Sequence, residues 1–282
     1  MYENFCLKTV GDADKKIAGY HWKKEDPEHV VCIIHGIGEY AGRYDRVATA
    51  MQNAGNAVLS MDLRGHGISF GKRGHCAPRK EVLKDVDELI SYAQKLYPEK
   101  PLILYGHSMG GNITLDYRKR GEKNHIPAGY IVSAPWVELV RPVTGTLYAA
   151  VKALSKVAPS LTISSGVSSK ELGNPSVVGN YEKDPLVHMK ISTLCAVDGF
   201  DTGTAMAEGK LQDNGGAEGT PMLLMHGTED RICSIEGSRK VAAIESCQYI
   251  EWPGLYHEIH NGGEDSTGDE VIEKAIQWIQ AL

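Results

Sequence analysis

A chain of 282 residues with 42% hydrophobic content can fill the core of one large domain or two small ones. Its 30 basic and 36 acidic residues give a formal charge of −6 without a long basic run, which argues against nucleic acid as a partner. The chain lacks both an apolar run of the roughly 18 residues that span a bilayer and the layout of a secretory signal, so we expect a cytoplasmic protein without a transmembrane segment.

Apolar runs alternate with helical patterns along the chain. Residues 3–22 alternate weakly between apolar and polar side chains, which predicts an antiparallel hairpin at the edge of a sheet. Near-continuous apolar runs then predict buried strands, with a short extended segment last, at 29–36, 56–62, 101–106, 128–135, 221–227 and 248–253. Helices are predicted at 43–55, 81–98, 109–120, 234–246 and 269–282. This alternation is typical of a mainly parallel α/β sheet with helices on both faces.

One stretch departs from this alternation, between Pro135 and Pro221. About 85 residues there contain no convincing strand, and a loop of that length without structure of its own would be abnormal. Residues 142–159 place apolar side chains on one helical face, and residues 190–211 are a candidate for a second helix. We therefore divide the chain into a main domain in two parts and a helical insertion between them, which are 1–135, 216–282 and 136–215.

The strand at 101–106 runs into a serine flanked by glycines. In the sequence GHSMGG, Gly106 and Gly110 lie two residues before and after Ser108, which gives the pattern G-x-S-x-G. This pattern predicts a strand that turns sharply into a helix with the serine in a strained conformation at the tip, where bulky neighbours would not fit. The alternative is a glycine-rich turn in an ordinary α/β protein, so the serine needs partners elsewhere in the chain.

An activated serine needs a base and an acid that orients the base, and both should follow strands of the sheet. The strand at 221–227 is followed by Glu229 and Asp230, and the next extended segment by His257 and His260. We choose Asp230, since adjacent side chains point apart and the fold usually uses the residue just before Arg-Ile or Arg-Leu. We choose His257, which lies closer to its strand, and expect His260 to be structural. The chain order of serine, acid and histidine is that of the nucleophile-elbow hydrolases, and we expect all three residues on exposed loops.

The reaction also needs hydrogen-bond donors for a developing oxyanion. The backbone N–H of Met109 begins the helix after Ser108, where the helix dipole favours negative charge. The loop HGIGEYAGRY (35–44) follows the first buried strand and is rich in small residues, so we take the N–H of Ile37 as the second donor. The alternative for this loop is a simple turn from strand to helix.

Six segments together resemble one family. HGIGEYAGRYDRVA, DLRGHGISFG, YGHSMGGNITL, YEKDPLVH, MHGTEDRICS and YHEIHN, in order from Val30 to the C-terminus, are similar to the monoglyceride lipase and lysophospholipase branch of the α/β-hydrolase superfamily. The combination of HGxGExxGRY with DPLxH is the most particular to this branch. The resemblance implies an α/β-hydrolase fold whose insertion at 136–215 is a helical cap between the sixth and seventh strands of the sheet.

The resemblance also implies roles for single residues. It assigns Ser108, Asp230 and His257 as the catalytic triad and Ile37 and Met109 as the oxyanion donors. It places the thiol of Cys233 close to the acid, although an inert packed cysteine is the alternative. The isoleucine at 37 is larger than the usual residue and is expected to narrow the acyl side of the pocket.

The function expected from these motifs is a serine hydrolase that cleaves carboxylic esters through an acyl-enzyme, as a monoacylglycerol lipase or lysophospholipase of lipid metabolism. One alternative is an aminopeptidase or amidase of the same fold, which would need cap carboxylates such as Glu138 or Glu171 to anchor a free amino terminus. The other is a hydrolase-like binding protein, but such proteins usually lack a member of the triad. The many Ala, Leu and Val residues of the first cap helix favour an acyl chain.

We expect no metal or organic cofactor. The chain has no H-E-x-x-H, P-loop or G-x-G-x-x-G at a strand-helix turn. His66 and His75 lie in a glycine-rich loop that we expect beneath the serine turn rather than at a metal. Six cysteines are scattered without C-x-x-C pairs, which indicates free thiols.

The expected partner is a small-molecule acyl ester, a lipid. Leu147, Val151 and Leu154 share one face of the first cap helix. We expect part of this face to line an apolar channel to Ser108 and the cap to contact membrane surfaces transiently. The alternative is that the face only packs against the main domain.

Overall fold

Eight strands form one sheet in the computed structural model, which describes residues 2–9 and 12–282. The strands of this described chain are β1 Glu3–Thr9, β2 Asp12–Trp22, β3 Val30–Ile34, β4 Ala57–Met61, β5 Leu102–His107, β6 Gly129–Ser133, β7 Thr162–Ser164, β8 Lys190–Ser192, β9 Met222–Gly227 and β10 Gln248–Trp252. The sheet has the order β1-β2-β4-β3-β5-β6-β9-β10, and β7 and β8 form a separate antiparallel pair.

The sheet is antiparallel only at one edge. β1 and β2 pair with Glu3 opposite His21, and β2 is also antiparallel to β4. The remaining neighbours are parallel. The predicted edge hairpin and mainly parallel α/β-hydrolase sheet are thus confirmed, although residues 10 and 11 of the predicted hairpin lie outside the described residues.

Helices cover both faces of this sheet, which is why its strands are near-continuous apolar runs. The helices are α1 Asp45–Asn53, α2 Arg79–Leu96, α3 Met109–Arg120, α4 Gly145–Val157, α5 Pro175–Val178, α6 Thr193–Ala207, α7 Ile235–Ile244 and α8 Asp269–Gln280. Successive residues of a strand point to opposite faces. Cys32 of β3 accordingly packs in the cluster that holds α2 and α3 side chains, whereas its neighbours Val31 and Ile33 pack with those of α1 and α8.

The predicted insertion holds α4, α5, α6 and the short pair β7–β8. α4 packs on α6, which in turn contacts α3 and α7 of the main domain. The expectation that this stretch contains no strand is wrong for β7 and β8. Each has only three residues, which is too short to give a recognisable alternation. The boundaries 136–215 stay a prediction.

The parallel strands bring their carboxyl ends to one edge of the sheet, and the loops after β3, β5, β9 and β10 meet there. In the described part of the chain, no helix is both long and apolar enough to cross a bilayer.

Candidate active site

Ser108 lies at a sharp turn between β5 and α3. Its backbone has φ of 56° and ψ of −118°, a combination that side-chain-bearing residues rarely adopt. The turn is tight because two glycines flank it. A Cβ atom on Gly110 would collide with the carbonyl oxygen of Ile34, and one on Gly106 with the carbonyl oxygen of Gly110. The glycines of G-x-S-x-G therefore let the backbone of α3 approach β3 and β5 closely.

The structure brings the three predicted catalytic side chains into one hydrogen-bonded row. The Nε2 atom of His257 lies 2.8 Å from Ser108 Oγ, and its Nδ1 atom lies 2.7 Å from Asp230 Oδ2. All three residues are buried, with exposed fractions of 4% for Ser108, 3% for His257 and 9% for Asp230. The expectation that they sit on exposed loops is wrong, because segments of the insertion cover the edge of the sheet where they meet.

Four nitrogen atoms lie within hydrogen-bonding distance of the Asp230 carboxylate, one for each of its lone-pair positions. Oδ1 accepts from the backbone N–H groups of Ile232 and Cys233 at 2.8 and 2.9 Å. Oδ2 faces His257 and also His226 Nε2, at 3.1 Å. Burial alone would raise the pKa of Asp230, but the nearby charge of His257 and the imidazole donors hold it well below its usual range. Glu229 is exposed and does not take this place.

His257 is a buried imidazole beside a buried anion. Burial alone would lower its pKa, but the charge of Asp230 and the hydrogen bond to it outweigh burial and raise the pKa above its ordinary value. His257 must be neutral to accept a proton from Ser108. We therefore expect activity to fall as the pH drops below this raised pKa.

His260 occupies a different position from His257. It is buried between Tyr44 and His107, with ring centroids 5.2 and 5.0 Å away, and its Nδ1 atom has no hydrogen-bond partner among the described residues. Burial lowers its pKa to about 4. The structure places His257, and not His260, against Ser108.

The loop after β3 passes directly beside Ser108. A Cβ atom on Gly36 would lie 3.1 Å from the Cβ atom of Ser108. The next N–H in this loop is that of Ile37, and the N–H of Met109 begins α3. In the described part of the chain neither amide donates a backbone hydrogen bond, so both are available to an oxyanion.

A buried ion cluster that the sequence analysis missed supports this loop. Glu39 accepts from the backbone N–H of Gly36 at 2.6 Å and from Arg43 at 2.5 Å. Arg43 also donates two hydrogen bonds to Glu258, the residue after His257, at 2.5 and 2.9 Å, and lies 4.5 Å above the ring of Tyr181 in the insertion. Burial alone would raise the pKa of Glu258, but Arg43 holds it well below its usual range. The motif HGxGExxGRY contains Glu39 and Arg43, but only the fold reveals that Glu258 joins them.

The insertion also holds the loop that carries His257. We call residues 171–174 the clasp segment. The backbone oxygen of Leu172 accepts from the N–H of Glu258 at 2.6 Å, and the N–H of Asn174 donates to the oxygen of Asn261 at 2.9 Å. Gly173 lies so close that a Cβ atom on it would be 2.9 Å from the oxygen of Asn261. The position of His257 thus depends on residues of the insertion.

A cavity of about 150 Å³ opens beside Ser108. Its wall is mostly apolar and is formed by Ile37, Trp136, Leu139, Val143, Ile163, Ser164, Ser165, Val167, Ile191, Ala196, Phe200, Ile232 and Cys233. Leu147, Val151 and Leu154 are not in this wall, so the expectation that their face of α4 lines a channel to Ser108 is not supported. α4 lies on the outer side of α6, and Leu147 is 55% exposed.

Other residues singled out in the sequence have different surroundings. Cys233 is close to the acid, as expected, because its backbone N–H donates to Asp230, and burial raises the pKa of its thiol. Glu138 and Glu171, the candidate anchors for an amino terminus, are occupied by ion pairs with Lys240 at 2.5 Å and Arg141 at 3.0 Å. Neither residue belongs to the wall of the cavity beside Ser108.

The glycine-rich loop of His66 and His75 lies beneath the site. The His66 ring lies between those of His35 and His188, tilted against both, with centroid distances of 5.3 and 4.7 Å. His75 Nδ1 lies 2.8 Å from Ser192 Oγ. Within residues 2–9 and 12–282, no group of three or more His, Cys, Asp or Glu side chains is arranged to hold a metal ion.

Comparisons with known proteins agree on one group. A family model described as "Hydrolase_4: Serine aminopeptidase, S33" matches residues 25–264. A monoacylglycerol lipase of Mycolicibacterium smegmatis is 34% identical over 258 residues, which are 90% of this chain and 89% of that protein. An uncharacterized abhydrolase domain-containing protein of Dictyostelium discoideum is 33% identical over 91% of this chain, and the chain spans 27% of that protein's length.

A solved structure extends the similarity to three dimensions. The crystal structure of Paleococcus ferrophilus monoacylglycerol lipase superposes with a TM-score of 0.79 at 28% sequence identity. The match covers 99% of this chain and 98% of that one.

Proposed function

Since the chain belongs to the Hydrolase_4 family, within the monoglyceride lipase and lysophospholipase branch of the α/β-hydrolase superfamily, we propose that it hydrolyses monoacylglycerols through an acyl-enzyme on Ser108. The protein is a carboxylic ester hydrolase. The observation that carries the proposal is the row of hydrogen bonds from Asp230 through His257 to Ser108 beside an apolar cavity.

The proposed reaction has two halves. Ser108 Oγ attacks the ester carbonyl while His257 Nε2 accepts its proton, and the N–H groups of Ile37 and Met109 stabilise the oxyanion. His257 then gives the proton to the leaving glycerol oxygen, and the acyl group stays on Ser108. In the second half a water molecule attacks the acyl-enzyme, His257 accepts its proton and returns it to Ser108, and the fatty acid leaves. Asp230 keeps the imidazole in the required orientation throughout.

The walls of the cavity favour an acyl chain over a peptide. Each CH₂ buried against an apolar wall contributes about 0.8 kcal/mol to the binding free energy, so this wall favours a hydrocarbon chain. A peptide with a free amino terminus would need a carboxylate in the cavity wall, and the two candidates, Glu138 and Glu171, are not part of that wall. The aminopeptidase alternative therefore lacks its anchor.

Part of this proposal is that the insertion touches lipid surfaces in the cytoplasm. α4 is rich in Ala, Leu and Val yet mostly exposed, with Leu147 55% and Val157 80% accessible. Ile163 of β7, in the same insertion, is 42% exposed and also belongs to the cavity wall. A contiguous exposed apolar patch is a feature of surfaces that bind membranes or partners. All six cysteines are unpaired, which suits a reducing compartment.

A hydrolysis panel tests the substrate. The panel contains monoacylglycerols, lysophospholipids, short p-nitrophenyl esters and an amino-acid p-nitroanilide. We expect monoacylglycerol to have the highest kcat/KM and the anilide to be inert. Ser108→Ala should abolish turnover of every ester, whereas Ser155→Ala, a change of a buried serine in α4, should leave it unchanged. Preference for the lysophospholipid, or release of the amino acid, would contradict the proposal.

Covalent labelling tests the nucleophile separately. A fluorophosphonate should add once per chain, on the peptide that contains Ser108, because only a serine activated by a base reacts in this way. Absence of an adduct, measured by intact mass, would favour the binding-protein alternative.

Vesicle flotation tests the lipid contact. Leu147→Glu combined with Val157→Glu should reduce flotation with phosphatidylcholine vesicles about tenfold or more, since burial of each side chain contributes on the order of 1.5 kcal/mol. Ile244→Glu changes a half-exposed apolar residue on α7 and should have no effect. Equal flotation of all three proteins would reject the contact through the cap.

A further inference from the structure

Asp230 is shared by two imidazoles. His257 Nδ1 and His226 Nε2 lie 2.7 and 3.1 Å from the same oxygen, Oδ2. His226 belongs to β9 and is fully buried. The turn in which the N–H of Asp230 donates to the oxygen of Gly227 brings the carboxylate back over His226.

The surroundings of His226 fix the position of its ring hydrogen. Nε2 faces two acceptors, Asp230 Oδ2 and the backbone oxygen of Cys233, both at 3.1 Å, so Nε2 must carry a hydrogen. Nδ1 lies 2.7 Å from the hydroxyl oxygen of Ser238, a fully buried residue of α7. The Ser238 hydroxyl can donate to Nδ1 of a neutral ring, which leaves Nε2–H between Asp230 Oδ2 and the backbone oxygen of Cys233.

We propose that His226 is a positioning residue that weakens the basicity of His257 by donating a second imidazole N–H to Asp230. The inference rests on the proposed function, because it concerns the base of that reaction. An anion that accepts an additional hydrogen bond has less of its charge available to the imidazolium of His257. His226 thereby helps to keep His257 neutral, and so able to accept a proton, near neutral pH.

Other ionisable groups face this pair, but none replaces His226. His107 lies 4.8 Å from His257 between ring centroids, and Glu39, Glu258 and His260 also act on His257 through their charges. The Cys233 thiol feels the charge of Asp230. Glu251 on β10 lies opposite His226 in the register and is held by Arg239 at 2.7 and 2.8 Å. Among the described residues, the side chains with a nitrogen atom within 3.1 Å of the Asp230 carboxylate are those of His226 and His257.

The test compares two substitutions of His226 over a range of pH. His226→Leu removes the donor, whereas His226→Gln keeps an N–H near the position of Nε2. The readout is kcat/KM for a short-chain ester, followed by released alcohol from pH 5 to 9. His226→Leu should move the acid limb upward by about half to one pH unit, so that activity falls roughly three- to tenfold at pH 6 but changes little at pH 9. His226→Gln should keep the limb near its wild-type position.

A merely structural role gives a different result. Equal losses at every pH, an unmoved limb or a limb moved downward in His226→Leu would each overturn the proposal. A second measurement needs no variant. ¹⁵N NMR of the native protein should show a hydrogen on His226 Nε2. A ring with its hydrogen on Nδ1 alone would refute the proposal. If the wild-type protein cleaved no ester, the proposed function would fail, while the NMR result would still decide whether His226 Nε2 carries the hydrogen that the proposal requires.

Discussion

Ser108 has a backbone conformation that glycine adopts readily and serine rarely, with a positive φ of 56°. Such a conformation costs on the order of 1–3 kcal/mol and persists because Gly106 and Gly110 fix the turn around it. The side chain that performs the proposed chemistry is therefore held at some cost in stability.

This strain predicts a difference in stability between two variants that both lack the nucleophile. Ser108→Gly and Ser108→Ala both remove the nucleophile, but only glycine relieves the positive φ. We expect Ser108→Gly to have a free energy of unfolding about 1 kcal/mol higher than Ser108→Ala, measured by urea denaturation. A lower stability of the glycine variant would show that the turn is not strained.

The triad residues should act as a unit in catalysis. Ser108→Ala and His257→Ala should each lower kcat by several orders of magnitude, and the double variant should be little slower than either. Because the residues are buried, His257→Ala should also cost about 1–3 kcal/mol of stability by leaving Asp230 without one of its donors. Multiplicative losses in the double variant would contradict a shared role, as would an active His257→Ala protein beside an inactive His260→Ala protein.

The clasp segment joins the insertion to the loop that carries His257. Its backbone hydrogen bonds with Glu258 and Asn261 connect residues that are about 90 positions apart in the chain. The ion cluster of Glu39, Arg43 and Glu258 fixes the other side of the same loop. The loop therefore has a support on each side, one from the main domain and one from the insertion.

Displacing the clasp segment should reduce turnover. Gly173→Val would place side-chain atoms within about 3 Å of the Asn261 backbone, so the loop must shift and His257 with it. Since a misplacement of about 1 Å can cost on the order of a hundredfold, we expect kcat to fall at least tenfold. Gly145→Val is the control, because nothing lies within 4 Å of its Cβ position in the same insertion. Similar kcat values for the two variants would show that the clasp segment does not position the base.

The parts of this molecule that sequence patterns predict are those with a local cause. The strands β3 to β6 are recognisable because burial on both faces makes them apolar throughout, and Ser108 because its turn requires two glycines. The ion pair of Arg43 with Glu258 depends on a contact between distant parts of the chain, and so does the approach of both His226 and His257 to Asp230. No local pattern predicts either one. The burial of the triad was mispredicted for the same reason, since the path of the insertion is not encoded in any one segment.

Buried histidines should govern the acid stability of the whole molecule. Burial lowers the pKa of His35 to about 3 and of His260 to about 4, and it lowers those of His66 and His107 well below the ordinary 6.5. The unfolded chain binds protons at these sites near pH 6.5 and the folded protein does not, so stability is lost as the pH falls from 6.5 towards 4 and 3. His257, with a raised pKa, acts in the opposite direction and stabilises below its folded pKa.

Removing one of these histidines should reduce the loss of stability at acidic pH. His260→Phe keeps an aromatic ring but cannot titrate, so its free energy of unfolding should fall about 2 kcal/mol less than that of the wild type between pH 6.5 and 5. Urea denaturation at several pH values measures this difference. His125→Gln, a change of an exposed histidine, should follow the wild-type curve. Parallel curves for His260→Phe and the wild type would mean that His260 is not kept neutral by the fold.

The clasp segment also limits how this protein can be recombined with its relatives. A chimera that receives the insertion of another protein would exchange most of the wall of the cavity beside Ser108 and, with it, the hydrogen bonds that hold the loop of His257. Any exchange of the insertion that includes residues 171–174 therefore changes substrate preference and catalytic activity at the same time. A graft that stops short of the clasp segment, and keeps Tyr181 above Arg43, would separate the two traits.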